Sequence, residues 1–129
     1  MLLAACSNGL YRYNEQDSLF VPFLLDEEKP HVRYLAEDGD KTLWIDTNKG
    51  LMRYSLEKKQ FVSLPTLIQP FTQQCNNAVL ISSNQLLFNT NNDFFVYHIQ
   101  SNTLCNLSKD LEVKDFRCAA TDHTGNIWV

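Results

Sequence analysis

Two arginines and two aspartates occupy matching positions in the sequence, and these side chains are the first candidates for chemistry. Arg33 and Arg117 lie in short apolar stretches, and Asp38 and Asp122 each follow five residues later. An arginine presents a charged fork of donors that can hold either an anionic ligand or an acidic side chain of a neighbouring blade. Both interpretations stay open, and Arg33 and Arg117 are the candidate ligand-binding residues.

The two aspartates are better explained by structure than by catalysis. Asp38 and Asp122 each precede a short Gly- and Thr-containing segment, where Asp typically bonds its own backbone in a turn. Glycoside hydrolysis requires two carboxylates that face each other across a substrate, and no such pair stands out. The Asp-box motif of sialidases fails as well, because His123 stands two residues before Gly125.

The histidines and cysteines are scattered, without a C-x-x-C pair or a His close to a carboxylate or Cys at a ligand spacing. In chain order they are Cys6, His31, Cys75, His98, Cys105, Cys118 and His123. The sequence therefore predicts no catalytic residue, no metal and no cofactor. Cys6 and Cys118 align with Thr and Tyr positions of other repeats, so we expect both to be small buried residues.

The elements that carry these residues repeat along the chain. Residues 9–13 (GLYRY) recur as 50–54 (GLMRY) and, in eroded form, as 93–97 (DFFVY). A period of about 42 residues built from short strands is typical of a β-propeller blade. Gly9 and Gly50 begin the returning strand of a hairpin, and Gly50 is expected to have a positive φ.

The strand that precedes this hairpin repeats too. Residues 43–48 (LWIDTN) recur as 86–91 (LLFNTN), and 127–129 (IWV) begin a further copy. Large aromatic residues at one offset of an apolar strand are expected to pack between blades rather than to stack on sugars. The repeat residues assigned to structure in this way are Gly9, Tyr13, Trp44, Gly50, Tyr54, Tyr97 and Trp128.

The repeat predicts an all-β fold, a partial β-propeller of about three four-stranded antiparallel blades that form an open arc without helices. Residues 1–24 would supply the last three strands of one blade (near 2–6, 9–13 and 19–24), and 31–64 and 75–107 two complete blades. Residues 115–129 would begin a fourth, with strands near 115–121 and 126–129. Propellers close with about four to eight blades. We therefore expect the chain to be a piece of a longer protein.

Composition excludes several classes of partner. The net charge is −4, and Lys58-Lys59 is the largest basic cluster, so nucleic acid and anionic membranes are poor partners. No segment approaches the roughly 18 apolar residues of a membrane span. Residues 3–6 (LAAC) resemble a lipoprotein cleavage box, but only Met1 and Leu2 precede them, which is too short for a secretory leader.

Residues 37–54 (EDGDKTLWIDTNKGLMRY) resemble the two-component regulator propeller repeat. That family combines an acidic turn, a G-N-hydrophobic-W-hydrophobic-G-T strand, a short turn and a G-L-hydrophobic-hydrophobic-Tyr strand. Residues 122–129 (DHTGNIWV) match its first half and 7–13 (SNGLYRY) its second. Asp46 stands where the family usually has Gly, and the copy at 84–97 lacks both Trp and Gly.

The resemblance implies a non-catalytic, ligand-sensing propeller on the periplasmic side of a hybrid two-component sensor, joined through a membrane helix to a histidine kinase. The expected partners are the remaining blades and a small-molecule or glycan ligand, often derived from carbohydrate. Two alternatives remain open at this point: a fragment of a propeller enzyme, such as a lyase or glycosidase, and a protein-interaction propeller.

Overall fold

The fold is described by a computed structural model that covers residues 1–23, 29–110 and 116–129. Residues 24 and 115, which the sequence analysis places in strands, lie outside these ranges. The described residues form four antiparallel sheets and one short helix.

The sheets follow one another along the chain, and their strands are neighbours in sequence order. The first sheet contains β1 (Leu3–Cys6), β2 (Gly9–Asn14) and β3 (Leu19–Pro22). The second contains β4 (Val32–Glu37), β5 (Thr42–Thr47), β6 (Gly50–Ser55) and β7 (Gln60–Val62). The third contains β8 (Asn77–Ser82), β9 (Gln85–Asn89), β10 (Phe94–His98) and β11 (Thr103–Asn106). The fourth pairs β12 (Ala120–Thr121) with β13 (Ile127–Trp128).

Successive sheets pack face to face, and the period-2 alternation of the strands supplies the packing residues. Trp44 and Leu51 of the second sheet share a core with Phe88 and Tyr97 of the third. The opposite face of the second sheet, which carries Ile45, packs on the first sheet. All six residues of β5 are consequently buried, because both faces of this strand are covered.

The third sheet repeats this arrangement. Its second face, which includes Leu87 and Val96, packs against Phe116 at the start of the segment that leads into β12. The stacking order of the sheets therefore equals their order in the sequence. The architecture is an all-β partial propeller whose blades form an arc and do not close into a barrel.

The prediction that the chain contains no helix was wrong. Helix α1 (Gln69–Thr72) lies between the second and third sheets, with a proline in its first turn. Ile68, immediately before it, is fully buried in the core between these sheets. A single turn is too short to show a helical period in sequence.

The fourth sheet is smaller than predicted. The strand expected over 115–121 is limited to Ala120 and Thr121, which pair with Trp128 and Ile127. Residues 116–119 run along the third sheet without ladder pairing. Phe116 is buried there, so side-chain packing rather than a backbone ladder holds this segment.

Gly50 occupies its turn for two physical reasons. Its φ is 122°, as predicted, a conformation that residues with a side chain rarely adopt. A Cβ atom at this position would also lie 3.0 Å from the backbone oxygen of Thr72, at the end of α1. The hairpin between β5 and β6 thus fits against the chain that crosses to the third sheet.

Candidate functional site

Residues of the first three sheets and of the segment that leads into β12 surround a cavity of about 580 Å³. Residues 5–7 of the first sheet, 31–34 of the second, 77–79 of the third and the segment 116–119 line it, together with Asp46. Both candidate ligand-binding residues, Arg33 and Arg117, belong to this lining. The fold therefore brings together two arginines that are 84 positions apart in the sequence.

Arg33 is bound by the carboxylate of Asp46. Its Nε donates to Oδ2 at 3.1 Å and its Nη2 donates to Oδ1 at 2.7 Å. Nη2 also donates to the carbonyl oxygens of Thr47, at 2.8 Å, and Cys75, at 3.0 Å. The acidic partner lies on β5 of the same sheet and not on a neighbouring blade, as one alternative predicted, whereas the Cys75 carbonyl belongs to the chain that enters the third sheet.

A β-bulge explains how Arg33 reaches these groups. The register between β4 and β5 shifts between Val32 and Tyr34, so Arg33 is the extra residue on its strand. A bulge redirects a side chain relative to the regular pleat. Nη1 is the remaining donor group of Arg33, and it donates to no residue in the described ranges.

Asp46 links the second sheet to the third. It is 1% exposed, and its Oδ2 also accepts the backbone N–H of Ala78 on β8 at 3.2 Å. Burial raises the pKa of Asp46, and the hydrogen bonds and charge of Arg33 act in the opposite direction. The residue at which the sequence departs from the family pattern is therefore the buried anchor of Arg33.

Arg117 has a different environment. It is exposed at the cavity, and no residue in ranges 1–23, 29–110 or 116–129 forms an ion pair or hydrogen bond with its side chain. Its matching sequence position with Arg33 does not give it matching contacts. Arg33 therefore pairs with an acid, whereas ligand binding by Arg117, which lines the cavity, stays a prediction.

Asp38 and Asp122 organise turns, as predicted. Oδ1 of Asp38 accepts the N–H groups of Asp40 at 2.9 Å and Thr42 at 3.0 Å. A further hydrogen bond was not predicted: Trp44 Nε1 donates to Oδ2 of Asp38 at 2.8 Å. The signal was present in the spacing, since an Asp precedes a Trp by six residues in both copies.

The turn at Asp122 repeats this geometry in solvent. Trp128 Nε1 donates to Asp122 at 3.1 Å, and Thr124 and Asn126 donate through both backbone and side chain. The side-chain hydrogen bonds from Thr124, then Asn126 and Trp128, hold the pKa of Asp122 well below its usual range. The turn is therefore formed by its own residues and does not require burial.

The aromatic repeat residues differ in environment. Trp44, Tyr54 and Tyr97 are buried, whereas Tyr13 is half-buried. Trp128 was expected to pack between blades, and this was wrong for the described structure: its side chain is 65% exposed. The reason is that β12 and β13 form a two-stranded sheet, and no described sheet lies against that face.

The cysteines also differ from expectation. All four are free thiols. Cys118 is exposed and Cys6 is half-buried, so the prediction that both are buried was wrong; both lie at the cavity, where packing is incomplete. Cys75 is buried, and burial, with the nearby Asp46 charge, raises the pKa of its thiol to about 12.

Metal and membrane sites are not evident in this part of the chain. Among the described residues, no group of three or more His, Cys, Asp or Glu side chains is arranged to hold a metal ion. The described ranges also contain no helix with the length and apolar character that a membrane crossing needs.

Sequence comparisons identify no relatives. No family model matches the chain, and no curated protein matches it.

Solved structures do share its fold. The extracellular domain of the hybrid two component system BT3049 from B. thetaiotaomicron superposes with a TM-score of 0.71 at 19% identity, over 98% of this chain and 19% of that chain. The extracellular domain of BT4673 from the same organism gives 0.71 at 15% identity, over 94% of this chain and 16% of that chain.

A lyase matches with a lower TM-score. Catalytically inactive virginiamycin B lyase from Staphylococcus aureus, solved with quinupristin, has a TM-score of 0.56 at 14% identity and is covered over 46% of its length. The chain spans less than a fifth of the length of the two sensor domains. Its fold is that of these extracellular sensor domains, which is the fold that the resemblance to the two-component regulator propeller repeat implies.

Proposed function

We propose that this chain is part of the ligand-sensing propeller of a periplasmic two-component sensor, and that it binds its ligand without catalysing a reaction. The observation that carries the proposal is the cavity that residues of the first three sheets and the segment 116–119 line together. A volume of about 580 Å³ lies within the range of small-molecule sites, roughly 300–1,000 Å³. The extracellular sensor domains that share the fold support the biological setting.

The cavity chemistry favours binding over catalysis. Asp46 is the one carboxylate among the described lining residues, and Arg33 and the Ala78 N–H occupy its oxygens. A general base must be within reach of a substrate proton, and a buried carboxylate in a bidentate ion pair is not. The likeness to a lyase concerns the fold alone and supplies no catalytic pair.

Binding is tested by titrating the chain with a panel of neutral and acidic saccharides while backbone amide signals are followed by NMR. We expect shifts that concentrate at residues 31–34, 77–79 and 116–119. Ser7→Trp should block binding, because Ser7 is an exposed residue of the cavity lining.

Ser63→Trp is the matched control, because Ser63 is also exposed but lies outside the lining. It should bind as the unmodified chain does. Shifts that avoid the cavity, or equal binding by both variants, would contradict the proposed site. Turnover of any saccharide in the panel would contradict the non-catalytic role.

A further inference from the structure

We infer that the cavity binds an oxyanion of its ligand (a carboxylate, sulfate or phosphate) and that Arg117 is the residue that contacts it. This inference rests on the proposed function and specifies the chemical class of ligand. Its basis is a difference between the hydrogen-bond partners of the two arginines that line this cavity.

The charges around the cavity do not cancel. Asp46 and Arg33 neutralise each other through two hydrogen bonds of 3.1 and 2.7 Å. Arg117 has no acidic partner in the described ranges, so the described residues leave one positive charge at the cavity. This surplus stands out because the whole chain has a net charge of −4. A positively charged cleft within a protein of negative net charge attracts negatively charged ligands.

Arg33 adds a fixed donor to the same cavity. Asp46 and the carbonyl oxygens of Thr47 and Cys75 hold its guanidinium through Nε and Nη2. Nη1 bonds to no described residue, and 27% of the side chain is exposed. Guanidinium N–H groups match the oxygens of carboxylates, sulfates and phosphates. The guanidinium of Arg33 is thus held in place, and its Nη1 has no described partner. Arg117 supplies the positive charge that no described residue neutralises.

The size of the cavity indicates that the anion is part of a larger molecule. About 580 Å³ exceeds the space that a bare sulfate or phosphate fills. The rest of such a molecule would contact neutral residues of the lining, such as Ala5, Val79 and Ala119. An acidic saccharide combines both features.

The test compares sodium glucuronate with glucose, with sodium sulfate and sodium phosphate as further arms, at constant ionic strength by NMR. We expect glucuronate to shift the amides of 117–119 and to bind at least about tenfold more tightly than glucose, the order of effect of one charge-assisted contact. Shifts at the same amides with sulfate or phosphate would support recognition of oxyanions in general. If neither anion causes these shifts, recognition of a carboxylate is supported.

Arg117→Gln should weaken glucuronate binding by about tenfold and leave glucose binding unchanged. Arg117 has no described partner, so the variant is expected to keep its melting temperature. Arg12→Gln is the control, because it removes the same charge from an exposed position on β2 outside the lining.

The outcomes separate the two proposals. Equal affinity for glucose and glucuronate at the cavity, or an equal loss in the Arg12 and Arg117 variants, would overturn the oxyanion inference and leave the proposed function standing. A complete absence of cavity shifts with both acidic and neutral saccharides would overturn the proposed function itself.

Discussion

Replacement of Trp44 by Ala should destabilise the protein strongly, whereas the same change at Trp128 should not. Trp44 is 1% exposed. Its ring packs edge-on against that of Tyr97, with 6.3 Å between the ring centroids, and the Cζ atom of Arg53 lies 4.8 Å from the centroid of the Trp44 ring. Truncation of a buried aromatic side chain to Ala costs about 3–5 kcal/mol. Loss of the Nε1 bond to the buried Asp38 carboxylate adds about 1 kcal/mol or more.

The free energy of unfolding is measured by urea denaturation followed by far-UV circular dichroism. Trp128 is the internal control, because it occupies the same repeat position and donates to an equivalent Asp, yet is 65% exposed. Trp128→Ala should change the free energy of unfolding by about 0.5 kcal/mol or less. Trp44→Phe keeps most of the apolar volume and provides a folded variant with an intermediate loss. Similar losses for the two Trp→Ala variants would refute the view that inter-blade packing distinguishes these positions.

Two further predictions concern the turn at Gly50 and the reactivity of the thiols. Gly50→Ala should lower the free energy of unfolding by at least about 1 kcal/mol, because φ is 122° and the new Cβ would meet the oxygen of Thr72 at 3.0 Å. Gly39→Ala is the control and should cost clearly less, because its nearest contact would be 3.5 Å and its φ is not positive. Equal losses of the two variants in urea denaturation would contradict this prediction. At pH 8 the exposed Cys105 should react rapidly with a thiol reagent, whereas Cys75 should react only on unfolding. Its pKa of about 12 lies above that pH and keeps it protonated, and rapid labelling of Cys75 located by mass spectrometry would disprove the assignment.

Local chemistry explains why much of the architecture was predictable. The turns at Asp38 and Asp122 form from hydrogen bonds within six residues, so their sequence is sufficient to show them. The positive φ of Gly50 likewise follows from the hairpin that surrounds it. Strands with period-2 alternation and a repeat of about 42 residues then indicate the propeller. The single turn of α1 was not predicted, because a helical period shows only in a segment longer than these four residues.

The tertiary structure alone decided what equivalent residues do. Trp44 and Trp128 share a motif, yet one is buried and the other exposed, because only Trp44 has a sheet packed on its face. Arg33 is held by a carboxylate on its own sheet and by the carbonyl of Cys75, 42 residues away, whereas Arg117 finds no partner among the described residues. Sequence by itself determined the repeating unit and its turns, because these depend on bonds between near neighbours. Burial, ion pairing and the cavity depend on contacts between successive sheets, and they exist only once the blades are stacked.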